Sequence, residues 1–103
     1  MESTLARRLK AARQAADISQ KTLGIRAGVD EFVASARINQ YERGKHAPAQ
    51  DIAARLAAVL KVPVSYLYEP DDEIADLIRM AGRMTKTRLR TLIKELAKET
   101  GSR

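Results

Sequence analysis

The sequence predicts an all-α protein: a compact five-helix domain with two further C-terminal helices. Three observations carry that expectation. Hydrophobic residues make up 45% of the chain, and aromatics are scarce, three tyrosines and one phenylalanine. Core volume must therefore come from Leu, Ile, Val and Ala, which suits packed helices. Apolar residues recur at intervals of three and four in successive segments, the spacing of one helical face. No stretch of any length alternates apolar and polar residues with the period of a strand.

Each element follows from local signals. Ser3 or Thr4 can cap a first helix running to about Ala16, with Leu5, Leu9 and Ala12 on one face. Asp17-Ile18-Ser19 breaks that pattern. Ser19 then caps a second helix, Gln20 to Ala27, which Gly28 ends. Asp30 and Ser35 are both candidate caps for a third helix, expected over Ser35 to Tyr41 and ended by Gly44. Lys45-His46-Ala47-Pro48 reads as a loop. From Ala49 to Leu60, Ile52, Leu56, Val59 and Leu60 repeat at helical spacing among alanines. After Val62-Pro63-Val64, Ser65 is expected to cap one more turn, Tyr66 to Tyr68. Both tyrosines are expected to close the core. Pro70 with Asp71-Asp72 marks a boundary. It divides a domain over residues 1–70 from a helical extension over residues 71–103. Ile74, Leu77, Ile78 and Ala81 outline the first extension helix. Leu89, Leu92, Ile93 and Leu96 outline the second, capped by Thr85 or Thr87. Met80 and Met84 read as apolar fillers.

Composition narrows the function. The absence of cysteine excludes disulfides and thiolate zinc sites. No apolar run approaches the roughly 20 residues that span a bilayer, and Met1 to Lys10 has no signal-peptide core. A cytoplasmic protein with no membrane partner is expected. The net charge of +6 and a pI near 10.0 favour a polyanionic partner, nucleic acid above all. No nucleophile elbow, nucleotide-binding glycine loop or His/Cys cluster is present, so neither an enzyme, a cofactor nor a small-molecule ligand is expected. His46, the sole histidine, reads as a loop residue.

The stretch Ser35-Ala36-Arg37-Ile38-Asn39-Gln40-Tyr41 has the form of a helix that reads bases. Ile38 and Tyr41 can pack inward. Ser35, Ala36, Arg37, Asn39 and Gln40 can face out. Arg forks onto guanine, and Asn or Gln pairs with adenine through two bonds. A major groove about 12 Å wide admits one such helix.

The span from Leu9 to Leu67 resembles the phage Cro/repressor, or XRE, family of helix-turn-helix regulators. The matching stretches are RLKAARQAADISQKTL, AG, INQYERGKHAP and IAARLAAVLKVPVSYLY, with Tyr41-Glu42-Arg43-Gly44-Lys45 and Pro48 as the most specific piece. The resemblance implies a lambda-repressor-like fold. It also implies a transcriptional regulator, in particular a repressor, that binds double-stranded DNA at a palindromic operator as a homodimer. It places Arg37, Asn39 and Gln40 on the recognition helix and Gln20 at a phosphate. Ser19, Lys21, Arg43, Lys45 and His46 join Gln20 as expected phosphate contacts. Glu42 is implied to be structural, holding Arg8 or Arg13 of the first helix. The family's usual spacing between the turn glycine and the signature glutamate is shorter than that from Gly28 to Glu42. Asp30-Glu31-Phe32-Val33 therefore reads as an insertion that lengthens the recognition helix or widens the turn. The C-terminal apolar stripe is expected to form a dimer seam. The alternative is a protein-interaction module of the same fold, an antitoxin or bridging factor, whose last helices hold a different chain.

Overall fold

The computed structural model describes residues 3–102. These form α1 (Thr4–Ala15), α2 (Gln20–Arg26), α3 (Ala34–Glu42), α4 (Gln50–Leu60), a 3-10 segment (Val64–Tyr68), α5 (Asp72–Ala81) and α6 (Lys86–Thr100). No strand occurs among the described residues.

Side-chain caps set most helix starts. The hydroxyl of Ser3 accepts from the Ala6 amide at 3.0 Å, that of Ser19 from Thr22 at 3.0 Å and that of Thr85 from Arg88 at 3.2 Å. The Asp71 carboxylate accepts from Ile74 at 2.9 Å. Each satisfies an amide that the first turn leaves without an intrahelical partner. Gly28 and Gly44 follow α2 and α3 at φ of +90° and +71°, a left-handed turn that costs glycine nothing.

The core gathers Leu5, Leu9, Leu23, Ile38, Tyr41, Leu56, Leu60, Val62, Tyr66 and Leu67. Ala53 and Ala57 let α4 lie close against its neighbours. Ala75 is fully buried, and Ile78 packs against the same core, so one side of α5 belongs to the domain. Arg8 reinforces that junction from α1. Buried itself, it donates to the carbonyls of Glu69 (3.0 Å) and Pro70 (3.2 Å). It also pairs with Asp72 at 2.9 Å and lies 5.7 Å from the centre of the Tyr66 ring. A charge that leaves water must find such partners.

Beyond Gly82 the packing ends. No residue of α6 is buried. The radius of gyration is 15.3 Å and the long axis 50 Å, against about 13 Å expected for a compact chain of this length. Fifteen residues of α6 span roughly 22 Å at the helical rise, which accounts for the elongation.

Four local expectations are corrected. Neither Asp30 nor Ser35 caps α3. Its N-cap is Val33, without a side-chain bond, because the Asp30 carboxylate accepts from the Phe32 amide instead. Ser65 lies inside the 3-10 segment, which starts where the Pro63 carbonyl accepts from Tyr66. Tyr66 is buried as expected, whereas Tyr68 is 50% exposed because the segment ends in the chain's turn towards Pro70. Met80 is 51% exposed rather than a filler, on the side of α5 opposite Ala75.

Candidate nucleic-acid interface

α2 and α3 meet through the smallest side chains available. A methyl group at Gly24 would lie 2.8 Å from the Ala34 Cβ and 3.2 Å from its backbone. The two helices therefore approach closer than any larger pair would permit. The Leu23 and Ile38 side chains, both fully buried, fix the same pair to the core.

A polar network then locks the start of α2 onto the end of α3. Arg13 of α1 donates from Nε to Glu42 Oε2 at 2.5 Å, and its third nitrogen reaches Oε1 at 3.0 Å. Its remaining nitrogen donates to the Ile18 carbonyl at 3.0 Å. This two-bond fork, beside the charge of Glu42, raises the Arg13 pKa above its ordinary value. Gln20 adds its side-chain amide, donating to Glu42 Oε1 at 3.1 Å and to Asn39 Oδ1 at 3.3 Å. Of the two bases considered for Glu42, Arg13 is the partner. Arg8 is committed to the α5 junction.

The expected base-reading residues share α3 but not one environment. Ser35, Ala36 and Arg37 are exposed, while Asn39 and Gln40 are half-buried. Ala34, Ile38, Tyr41 and Glu42 face the core. Gln20 holds Asn39 Oδ1, which turns the Asn39 NH2 group into the free donor.

The expected phosphate contacts divide similarly. Lys21, Arg43, Lys45 and His46 are exposed. Among the described residues, the charged three and Arg37 form no ion pair. Ser19 is exposed, but its hydroxyl is committed to capping, accepting from the Thr22 amide and donating to the Thr22 hydroxyl. Both amide hydrogens of Gln20 are engaged inside the network, so its side chain has no donor left for a phosphate. The loop after α3 folds back, with the Lys45 and His46 amides donating to the Gln40 carbonyl at 3.0 and 3.4 Å. His46 thereby lines one shallow depression with Arg37, Gln40, Tyr41 and Ala47. The sequence assigns Arg37 and His46 to different roles, and the fold brings them together.

The insertion widens the turn rather than lengthening α3. Residues 31–33 form a hydrogen-bonded turn ahead of Ala34, and Phe32 is 90% exposed. Sequence reasoning marks the insertion but assigns Phe32 no role. It also misses the Gln20–Asn39 coupling, which no spacing rule reveals. Among the described residues, no His/Cys/Asp/Glu group could hold a metal.

Two close-packed helices, an outward polar face and a run of cations outside any ion pair define a DNA-binding transcription regulator of the helix-turn-helix type, which acts by binding rather than by catalysis. The chain belongs to the helix-turn-helix family HTH_3, which matches residues 9–67. A crystal structure of the transcriptional regulator BswR superposes with a TM-score of 0.84 at 47% identity, covering 90% of this chain and 92% of that one. No curated protein matches the sequence.

Proposed function

We propose that this protein is a sequence-specific repressor that binds a palindromic operator in the cytoplasm as a homodimer, with α3 of each protomer in the major groove. The observation that carries the reading is the outward face of α3, which is held rigid from behind by Arg13, Glu42 and Gln20. Arg37, the Asn39 NH2 group and Gln40 supply hydrogen bonds to base edges. Lys21, Arg43, Lys45 and His46 surround them as phosphate contacts, with Ser19 and Gln20 contributing through backbone amides at the start of α2. Residues 1–70 form the reading domain, and residues 71–103 supply the dimer contact. Ile74, Leu77 and Met80 of α5 and Ile93 and Leu96 of α6 are each at least one-third exposed. These residues recur at helical spacing along α5 and along α6, and apolar faces left in water mark interaction surfaces. A second copy covers these faces by symmetry and sets two α3 helices about 34 Å apart.

Selecting bound duplexes from a random pool tests the DNA reading, and solution mass tests the dimer. A palindromic consensus and a dimeric mass are expected. Leu92→Asp lowers the mass to a monomer and weakens operator binding. Equal affinity for consensus and random DNA at physiological salt would remove sequence specificity. A monomer that purifies with a second protein would favour an antitoxin or bridging module. Among point variants, Arg37→Ala shifts the selected sequence. Lys45→Ala weakens all sequences alike and flattens the salt dependence by about 0.9 for each phosphate the protein no longer neutralises.

A further inference from the structure

We propose that Phe32 is a specificity-determining residue that packs against the 5-methyl group of a thymine in the major groove. The proposal rests on the major-groove reading above. Phe32 is the most exposed large apolar side chain of the described residues, at 90%. The other aromatics are at least half-buried. Leaving a phenyl ring in water forfeits the burial that normally recruits it.

The backbone displays this ring rather than letting it drift. The Phe32 amide donates to Asp30 Oδ1 at 2.8 Å, and the Val33 amide donates to the Asp30 carbonyl at 3.1 Å. The Val33 carbonyl then accepts from the Arg37 amide at 2.8 Å, which joins the turn to α3. Phe32 thus stands immediately before the N-terminal end of α3, the end at which recognition helices meet base edges. It lies in the turn over residues 31–33, two positions ahead of the first helical residue of α3, and is open to solvent like Ser35 and Ala36. Ser35 and Ala36, both short, leave room for a base edge beside the ring.

The chemistry of that position selects the ligand group. The acids Asp30 and Glu31 precede Phe32 and repel phosphates, so this turn does not clamp the DNA backbone. The one apolar group on a base-pair edge in the major groove is the thymine methyl, and Phe is among the side chains that contact it. Phe32 would read it while Arg37 and Gln40 read polar edges.

The test begins with the consensus selected by the wild-type protein. Failure to obtain a consensus defeats the sequence-specific reading itself and is distinguishable from failure of this proposal. Each thymine of the consensus is then replaced by deoxyuridine, which removes only the methyl group. We expect one thymine per half-site whose replacement weakens wild-type binding about fourfold. Phe32→Ala should bind the thymine and uracil sites equally, with an unchanged melting temperature because the ring touches no core. Phe32→Leu should keep part of the discrimination. Equal sensitivity of wild type and Phe32→Ala to every replacement would overturn the proposal. So would unchanged affinity and sequence preference in Phe32→Ala, including a variant that loses only its dimeric mass.

Discussion

At Glu42 both carboxylate oxygens accept from Arg13, and one accepts from Gln20 as well. The side chains are 15% and 3% exposed for Arg13 and Glu42, so the pair lies largely out of water. Removing one member of such a pair strands the other, at a cost of about 3–5 kcal/mol. Glu42→Ala is therefore expected to lower unfolding stability by about 3 kcal/mol in urea titrations. Replacing Arg13 and Glu42 together by methionine should recover most of that loss. Both Glu42→Ala and the double variant should bind DNA more weakly than wild type, because Gln20 lacks one of its acceptors in each and holds Asn39 less firmly. Recovery of full affinity there would mean that the network stabilises the fold without orienting the reading face.

Between elements, the decisive approach is that of α2 to α3 at Gly24. An added Cβ meets the Ala34 Cβ and backbone, neither of which is the far end of a flexible side chain. α3 would have to move, and overpacking of this kind costs about 1–3 kcal/mol. Gly24→Ala is accordingly expected to lower stability by that amount and to weaken consensus binding more than random-sequence binding, since displacement of α3 harms base contacts first. Gly24→Ala combined with Ala34→Gly, which vacates the same space, should restore consensus affinity relative to Gly24→Ala alone. Calorimetry and competitive binding on the two variants and the wild type check both expectations.

At the scale of the whole molecule, the junction between α1 and the start of α5 carries a pH dependence. Hydrogen bonds from Arg7 and then Arg8 to Asp72 hold its carboxyl below the usual carboxylate range. A depressed folded-state pKa means that the unfolded chain binds the proton more readily. The contribution is thus complete above the ordinary value of about 4 and is lost as pH falls through the folded value. Wild type should melt higher than Asp72→Asn at pH 6, and the difference should shrink steadily as the pH is lowered below about 4. A difference that survives in acid would assign the role of Asp72 to the first turn of α5 rather than to the arginines.

The sequence by itself determined the all-helical class, the helix-turn-helix and the exposure of Ser35, Ala36 and Arg37 on α3. Those features rest on local signals: the Ser19 cap, Gly28 and Gly44, the Tyr41-to-Lys45 signature and the spacing of Leu5, Leu9, Leu23 and Ile38. Capping and periodicity act within a few residues, so they are written in order along the chain. Only the tertiary structure decided which partner each polar group took. Arg13 rather than Arg8 reaches Glu42, Gln20 turns inward to Asn39, and Arg37 comes beside His46. Such pairings join residues far apart in the chain, and their geometry exists only after the helices have packed. The same holds for burial. Equivalent apolar stripes predict α5 and α6, yet α5 buries Ala75 and α6 buries nothing. Periodicity shows that a face needs cover and leaves what covers it to the fold.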